Sequence, residues 1–304
     1  MDKSMNTTLK TFLVFAMIGN LFCTTAQDQS TSIMQDITFL ASDELGGREA
    51  GQPGNEQARA YLTDRFESIG LEPVMDDSYE QPFTFRRRAQ KEIDGVNLVG
   101  RIKGKKEATI VITAHYDHIG VINDEVYNGA DDNASGTAGL LAMATYFQTN
   151  KPEHTLIFVA FDAEEKGLRG ARYFVKNLPV KQSDIVLNVN MDMISRNDNN
   201  EIYACGTYHY PQFKDLLVET GEASTIDLRF GHDEPHMGND DWTNSSDHGP
   251  FHQKQIPFVY FGVEDHPDYH QASDEVEKID PEFIGNTVAL ITDFVRRVDE
   301  KYGR

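Results

Sequence analysis

The chain has 304 residues, a formal net charge of −21 and a sequence pI near 4.8. A surface this acidic argues against nucleic acid and anionic membranes as partners. The length suits one large hydrophobic core or two smaller ones.

At the N-terminus, Lys3 and Lys10 precede the apolar run TFLVFAMIGNLF over 11–22. That run is too short to span a bilayer comfortably. Thr24-Thr25-Ala26 follows as a small-residue cleavage site. Residues 1–26 are therefore expected to be a secretory signal peptide, with one domain over 27–304. The mature chain would be periplasmic or secreted. Phe22 stands where a lipobox wants a small residue, which argues against lipidation at Cys23. Cleavage removes Asp2, Lys3 and Lys10, taking the net charge from −21 to −22. Cys205 is then the remaining cysteine, so no internal disulfide is expected. No later segment is long and apolar enough to cross a membrane.

Helical spacing appears over 31–41 (Ile33, Ile37, Leu40) and over 55–69 (Ala58, Tyr61, Leu62, Phe66, Ile69), with Gly70 as the second helix's stop. SDELGGREAGQPGN between them reads as a loop. Strands and helices then alternate. GVNLVGRI and ATIVITA are predicted strands, ASGTAGLLAMATYFQ a helix, TLIFVAF a strand, GLRGARYFVKN a helix and DIVLNVNMD a strand. EIYAC, a helix near 211–220, IPFVYFG and a final helix over 281–301 complete the chain. This alternation predicts an α/β fold with a largely parallel sheet covered on both faces.

In such sheets ligands bind beyond the carboxyl ends of the strands. Three predicted strands end in candidate ligands: His115 and Asp117 after IVITA, Asp162, Glu164 and Glu165 after LIFVAF, and Asp192 after IVLNVNM. Each has an ordinary reading. Asp131, Asp132 and Asn133 can cap the helix that follows, Glu164 and Glu165 can be solvated first-turn acids, and His270 can be a surface loop residue. His118 and His248 read the same way, and His154, His209, His232, His236, His252 and His266 lack even that context. Capping does not explain the Gly129-Ala130 approach, which lets backbone come close to something.

Taken together, His115, Asp131, Glu165, Asp192 and His270 offer two imidazoles and three carboxylates, a donor set suited to zinc. Five donors exceed a one-metal catalytic site. They fit two metals sharing Asp131, with His115 and Asp192 on one and Glu165 and His270 on the other. Asp117, two residues after His115, could orient the imidazole. Of the adjacent Glu164 and Glu165, one can ligate and the other can move a proton. There is no H-E-x-x-H, G-x-S-x-G or P-loop.

AHYDHIG, NGADDNASG, FDAEEKGLRGA, NVNMDMIS, SSDHGPF and YHQASDE, in this order over 114–275, resemble the M28 family of zinc aminopeptidases. The upstream SDELGGREAGQPGN and YLTDRFESIGLEP also look like the family's N-terminal part. The resemblance implies a three-layer α/β/α fold with a mixed, mainly parallel sheet, as a single peptidase domain. It implies two zinc ions bridged by Asp131, the remaining ligands as above, Glu164 as general base acting on a metal-activated water, and Asp117 behind His115. It implies a cis Asp131–Asp132 peptide. Asp247 and His248 are expected near the substrate pocket, and Tyr269, beside His270, is assigned to it too.

The substrate this implies is a peptide with a free N-terminus. Three alternatives remain open at this point: a glutaminyl cyclase-like acyltransferase on the same fold, a carboxypeptidase, and a binding protein on an inactive scaffold. Intact candidate ligands and Glu164 weigh against the last, and G-A-D-D rather than G-A-T-D weighs against the first.

Overall fold

The computed structural model describes residues 30–86 and 92–302. The expected signal peptide lies outside the described residues.

Helix α1 covers 30–40 and α2 covers Pro53–Ile69. Proline opens α2, and Gly70 closes it at φ 82°, its N–H reaching the Phe66 and Glu67 carbonyls. The strands are β1 (Glu72–Pro73), β2 (Glu80–Phe85), β3 (Ile93–Ile102), β4 (Lys106–His115), β5 (Gly120–Ile122), β6 (Glu125–Tyr127), β7 (His154–Phe161), β8 (Ile185–Met191), β9 (Glu201–Cys205), β10 (Asp227–Phe230) and β11 (Phe258–Gly262). The remaining helices are α3 (Gly136–Thr149), α4 (Arg169–Phe174), α5 (Lys214–Glu222), α6 (His248–Gln253) and α7 (Pro281–Tyr302).

Among the described residues the main sheet runs β1-β3-β7-β4-β8-β11-β9-β10, with β2 also on β3. Its centre, β7-β4-β8-β11, is parallel; β3 joins β7 and β9 joins β11 antiparallel. The sheet is mixed around a parallel core, as expected.

Period-two alternation explains the layers. On β7, Leu156, Phe158 and Ala160 pack with Leu62, Leu141 and Ile291 of α2, α3 and α7. Ile157, Val159 and Phe161 face the other way, with Phe174 of α4 and Phe251 of α6. All these residues are buried. At about 25 cal/mol per Å² of apolar area, so continuous a core dominates the stability.

Two features differ from the sequence reading. The helix expected over 167–177 shortens to Arg169–Phe174, and β1, β2, β10 and the β5–β6 hairpin were not anticipated. The hairpin turns at Asn123 and Asp124, with φ of 52° and 65°, a two-residue turn whose Asn-Asp chemistry was present in the sequence.

Candidate active site

Parallel pairing sets the ligand-bearing strand ends side by side. His115 pairs with Phe161, and Thr113 with Asn190. Just past β7 and β8, Ala163 and Met193 adopt φ of 59° and 57°. Non-glycine residues take this conformation only where surroundings enforce it. These turns leave Glu164 and Asp192 grouped with His115.

His115 Nε2 lies 3.2 Å from Asp192 Oδ1 and 3.5 Å from Asp132 Oδ1. Across Asp132, His270 Nε2 lies 3.1 Å from its Oδ2 and 3.6 Å from Glu165 Oε1. Asp132 thus faces both histidines, one oxygen to each. Asp131 does not. Its carboxylate accepts hydrogen bonds from the Ser195 N–H at 2.9 Å and hydroxyl, and from His266 Nε2 at 2.9 Å. The carboxylate that faces both histidines is therefore that of Asp132, where Asp131 was expected. The cis peptide likewise stands one residue on, at Asp132–Asn133. Asp274 holds the loop by accepting the backbone N–H groups of both aspartates at 3.0–3.1 Å.

Asp117 sits where expected and does more than orient one ring. Its oxygens accept the Glu164 and Glu165 N–H groups at 3.0 and 3.3 Å, while its carbonyl lies 3.1 Å from His115 Nδ1. Asp162 stays out of the cluster, bound to the Val96 and Ala163 N–H groups and to Asn55.

The site opens into a cavity of about 450 Å³. Asp132, Glu164, Glu165, Asp192 and Asp265 line it, with Trp242, Tyr260 and Tyr269 as apolar wall, and no lysine or arginine takes part among the described residues. Tyr269 is on the wall as expected, its ring 3.9 Å from that of His270. Asp247 and His248 are fully buried behind the lining, to which Asn244 and Ser245 of the same segment belong, and Asp247 interacts electrostatically with His115, Asp192 and Glu164. A second hollow, about 640 Å³, lies beside α1 and Pro281 and holds one acid, Glu44, and no histidine.

The model described as "Peptidase family M28" matches residues 97–295. The chain belongs to peptidase family M28. Aminopeptidase YwaD of Bacillus subtilis is 30% identical over 224 residues, 69% of this chain and 46% of that protein. Leupeptin-inactivating enzyme 1 of Streptomyces exfoliatus is 26% identical over 251 residues, 81% and 50% respectively. The chain thus spans about half the length of the curated relatives it matches. Among solved structures, a zinc aminopeptidase from Bacillus subtilis superposes with TM-score 0.72 at 18% identity, over 88% of this chain and 95% of that one. A glutaminyl cyclase from Porphyromonas gingivalis gives TM-score 0.72 at 17%, over 90% and 98%. A likeness shared by an aminopeptidase and a cyclase speaks to fold, not chemistry.

In this M28 chain the site is a concentration of buried negative charge. Burial raises Asp132, Asp117 and Glu164 above the usual carboxylate range. Burial also lifts Asp247 to about 7, with His115 opposing and Asp192 adding. For His115 and His270 burial pulls downward, but the carboxylates around them win and both are raised. Burial would likewise raise Glu165, yet His118, His115 and His270 hold it near 2. His248, by contrast, is lowered to about 4 by burial. Its ring packs against Phe258 and Tyr260 and donates to the Trp242 carbonyl at 2.8 Å.

Sequence reasoning passed over three residues of this M28 site. Arg48 is fully buried and donates to the carbonyls of Leu40, Tyr116, Asn128 and Gly129, tying the loop before α2 to the metal-facing loop. Its GGREAG context gave no hint. His266 holds Asp131. His118 is completely buried against Glu165. The signal for His118 was its place one residue after Asp117, on the segment leaving a buried strand.

Proposed function

We propose that this chain is an exported zinc aminopeptidase that removes residues from the free N-terminus of peptides. Two zinc ions fit it: one on His115, Asp192 and Asp132, the other on Glu165, His270 and the shared Asp132. The observation carrying this reading is the pair of donor groups joined by Asp132. Asp132 Oδ2 and Glu165 Oε1 are buried with no hydrogen-bond partner. Buried carboxylate oxygens that only neighbouring imidazoles approach, with no aimed hydrogen-bond donor, are costly, and a cation between them offsets that cost.

When bound, the zinc pair acidifies a water and polarises the scissile carbonyl. Glu164 lines the cavity, and burial raises its proton affinity. Its carboxylate takes the proton of the attacking water and passes it to the leaving amine. Asp117 fixes this base through the Glu164 N–H. The acidic lining receives an α-ammonium group. A C-terminal carboxylate would meet five acids and no lysine or arginine there, which supports an aminopeptidase over a carboxypeptidase. Export rests on the apolar run 11–22 and the small residues ahead of Gln27.

The test is mass spectrometry on peptides with free, blocked and Gln-initial N-termini, incubated with zinc-loaded protein. Stepwise shortening of free N-termini, with blocked peptides intact, is expected. Ammonia loss from Gln peptides alone, trimming from the other end, or no change would each overturn the proposal. Glu164→Gln should keep its zinc and lose turnover by about 10²–10⁴-fold.

A further inference from the structure

We propose that Trp242 and Asp265 receive the side chain of the substrate's first residue and select a cationic one, arginine before leucine. The inference deepens the aminopeptidase reading above and rests on it.

Trp242 is the chain's one tryptophan, and it stands in the cavity wall. Its ring is held from several sides. The His232 imidazole stacks on it, centroids 3.7 Å apart and planes at 5°. Tyr203 and Tyr260 meet it nearly at right angles, at 70° and 82°. Its backbone is pinned as well: the N–H donates to the His232 carbonyl at 2.6 Å, and the carbonyl accepts from His248 Nε2 at 2.8 Å. So fixed, and only partly buried, the indole turns its remaining surface to the cavity.

Asp265 comes just after β11. Its neighbour Glu264 lies 3.4 Å from Nε2 of His232, the ring that stacks on Trp242, while Asp265 itself lines the cavity. Asp265 is exposed and forms no hydrogen bond or ion pair with a described residue. Charge balance singles it out too. Two zinc ions would bring four positive charges, which the carboxylates of Asp132, Glu164, Glu165 and Asp192 match. Of the acids in the lining, Asp265 is the one left over.

The accessible wall suits a cation better than an alkyl group. Leu168, Met193, Tyr260 and Val263 line the cavity but are only 3–8% accessible, so they offer it little surface. Beyond the metal-facing residues, the surface on offer is that of Trp242, Tyr269, Asp265 and the polar Asn239, Asn244 and Ser245. A guanidinium can lie on an aromatic face, pair with a carboxylate and donate to amide oxygens at the same time. An alkyl side chain gains the aromatic contact alone and takes water from an unpaired acid.

Two measurements on the zinc-loaded full chain test this. The single tryptophan reports binding directly. Its emission would be followed during titration with agmatine, which is arginine without its carboxylate, and with 3-methylbutylamine, the leucine counterpart; neither has an amide to hydrolyse. Agmatine should perturb the emission at concentrations at least about threefold lower, and Asp265→Asn should remove most of that advantage. No advantage, or one that Asp265→Asn keeps, would overturn the inference. In the second measurement kcat/KM is compared for peptides that differ only in Arg or Leu at the first position. Arginine should lead by about 3–30-fold, from a cation–π contact and a part-exposed ion pair together. Asp265→Asn and Trp242→Leu should each cut that ratio about 2–5-fold. A ratio taken within one protein is blind to a lower folded fraction. If Asp265 instead holds the α-ammonium, Asp265→Asn slows both peptides alike and the ratio stays. An unmoved ratio, or a lead for leucine, would overturn the inference and leave the aminopeptidase reading standing. A wild-type chain that trims neither peptide would overturn that reading, and the amine titration would still decide whether the pocket selects a cation.

Discussion

At the residue scale, adjacent aspartates have different tasks. Asp132 points between the two histidines, while Asp131 is held by Ser195 and His266. In the string G-A-D-D nothing distinguishes them. Which carboxylate projects inward is set by local dihedrals, here non-helical at Asp132 (φ −102°, ψ 94°) and Asn133 (φ −135°, ψ 45°), and spacing rules for regular elements do not reach such a turn. Metal analysis of single variants separates them. Asp132→Asn should lose at least one zinc per chain, whereas Asp131→Asn should keep both and lose about 1–3 kcal/mol of folding stability by denaturant titration, since its buried partners stay in place. Arg48 makes a similar point about buried polar groups. Burial lowers its guanidinium to about 10, against the pull of Asp117 and the carboxylates beyond it. Arg48→Leu leaves four carbonyls short of a donor and should cost about 3 kcal/mol or more in urea unfolding.

At the scale of elements, the parallel centre of the sheet was readable because strands buried on both faces are nearly continuous apolar runs. LIFVAF, IVITA and IVLNVNM declare themselves, and their ends place His115, Glu164, Glu165 and Asp192 at one edge without any structure. The antiparallel additions were not readable. Strand β2 alternates exposed and buried residues through EQPFTF, which contains a proline, and β1 is two residues long. The loops carrying Asp132, His118 and His270 were legible as loops but not in shape. His270 itself takes φ 53°, a conformation imposed by packing rather than residue type. Gly129 shows how tightly the metal-facing loop is seated, at φ 57° against the His118 ring. Gly129→Ala should lower stability by at least about 2 kcal/mol and weaken zinc retention, read as a lower unfolding midpoint and a reduced zinc content.

Across the whole molecule, acidity and metal demand are linked. Carboxylates hold His115 and His270 above the ordinary imidazole range, so protons compete with zinc for the same nitrogens. The sign follows: lowering the pH protonates these ligands and weakens binding, and raising it releases them. Zinc affinity, measured by chelator competition between about pH 6 and 8, should rise about tenfold per pH unit for each proton displaced. An affinity flat across that range would mean the histidines are not ligands. The candidate ligands also lie far apart along the chain, from His115 on β4 to His270, just ahead of α7. Domains generally fold as units. A chain that lacks His270 therefore presents only part of the candidate donor set, and the site takes shape only with the completed fold.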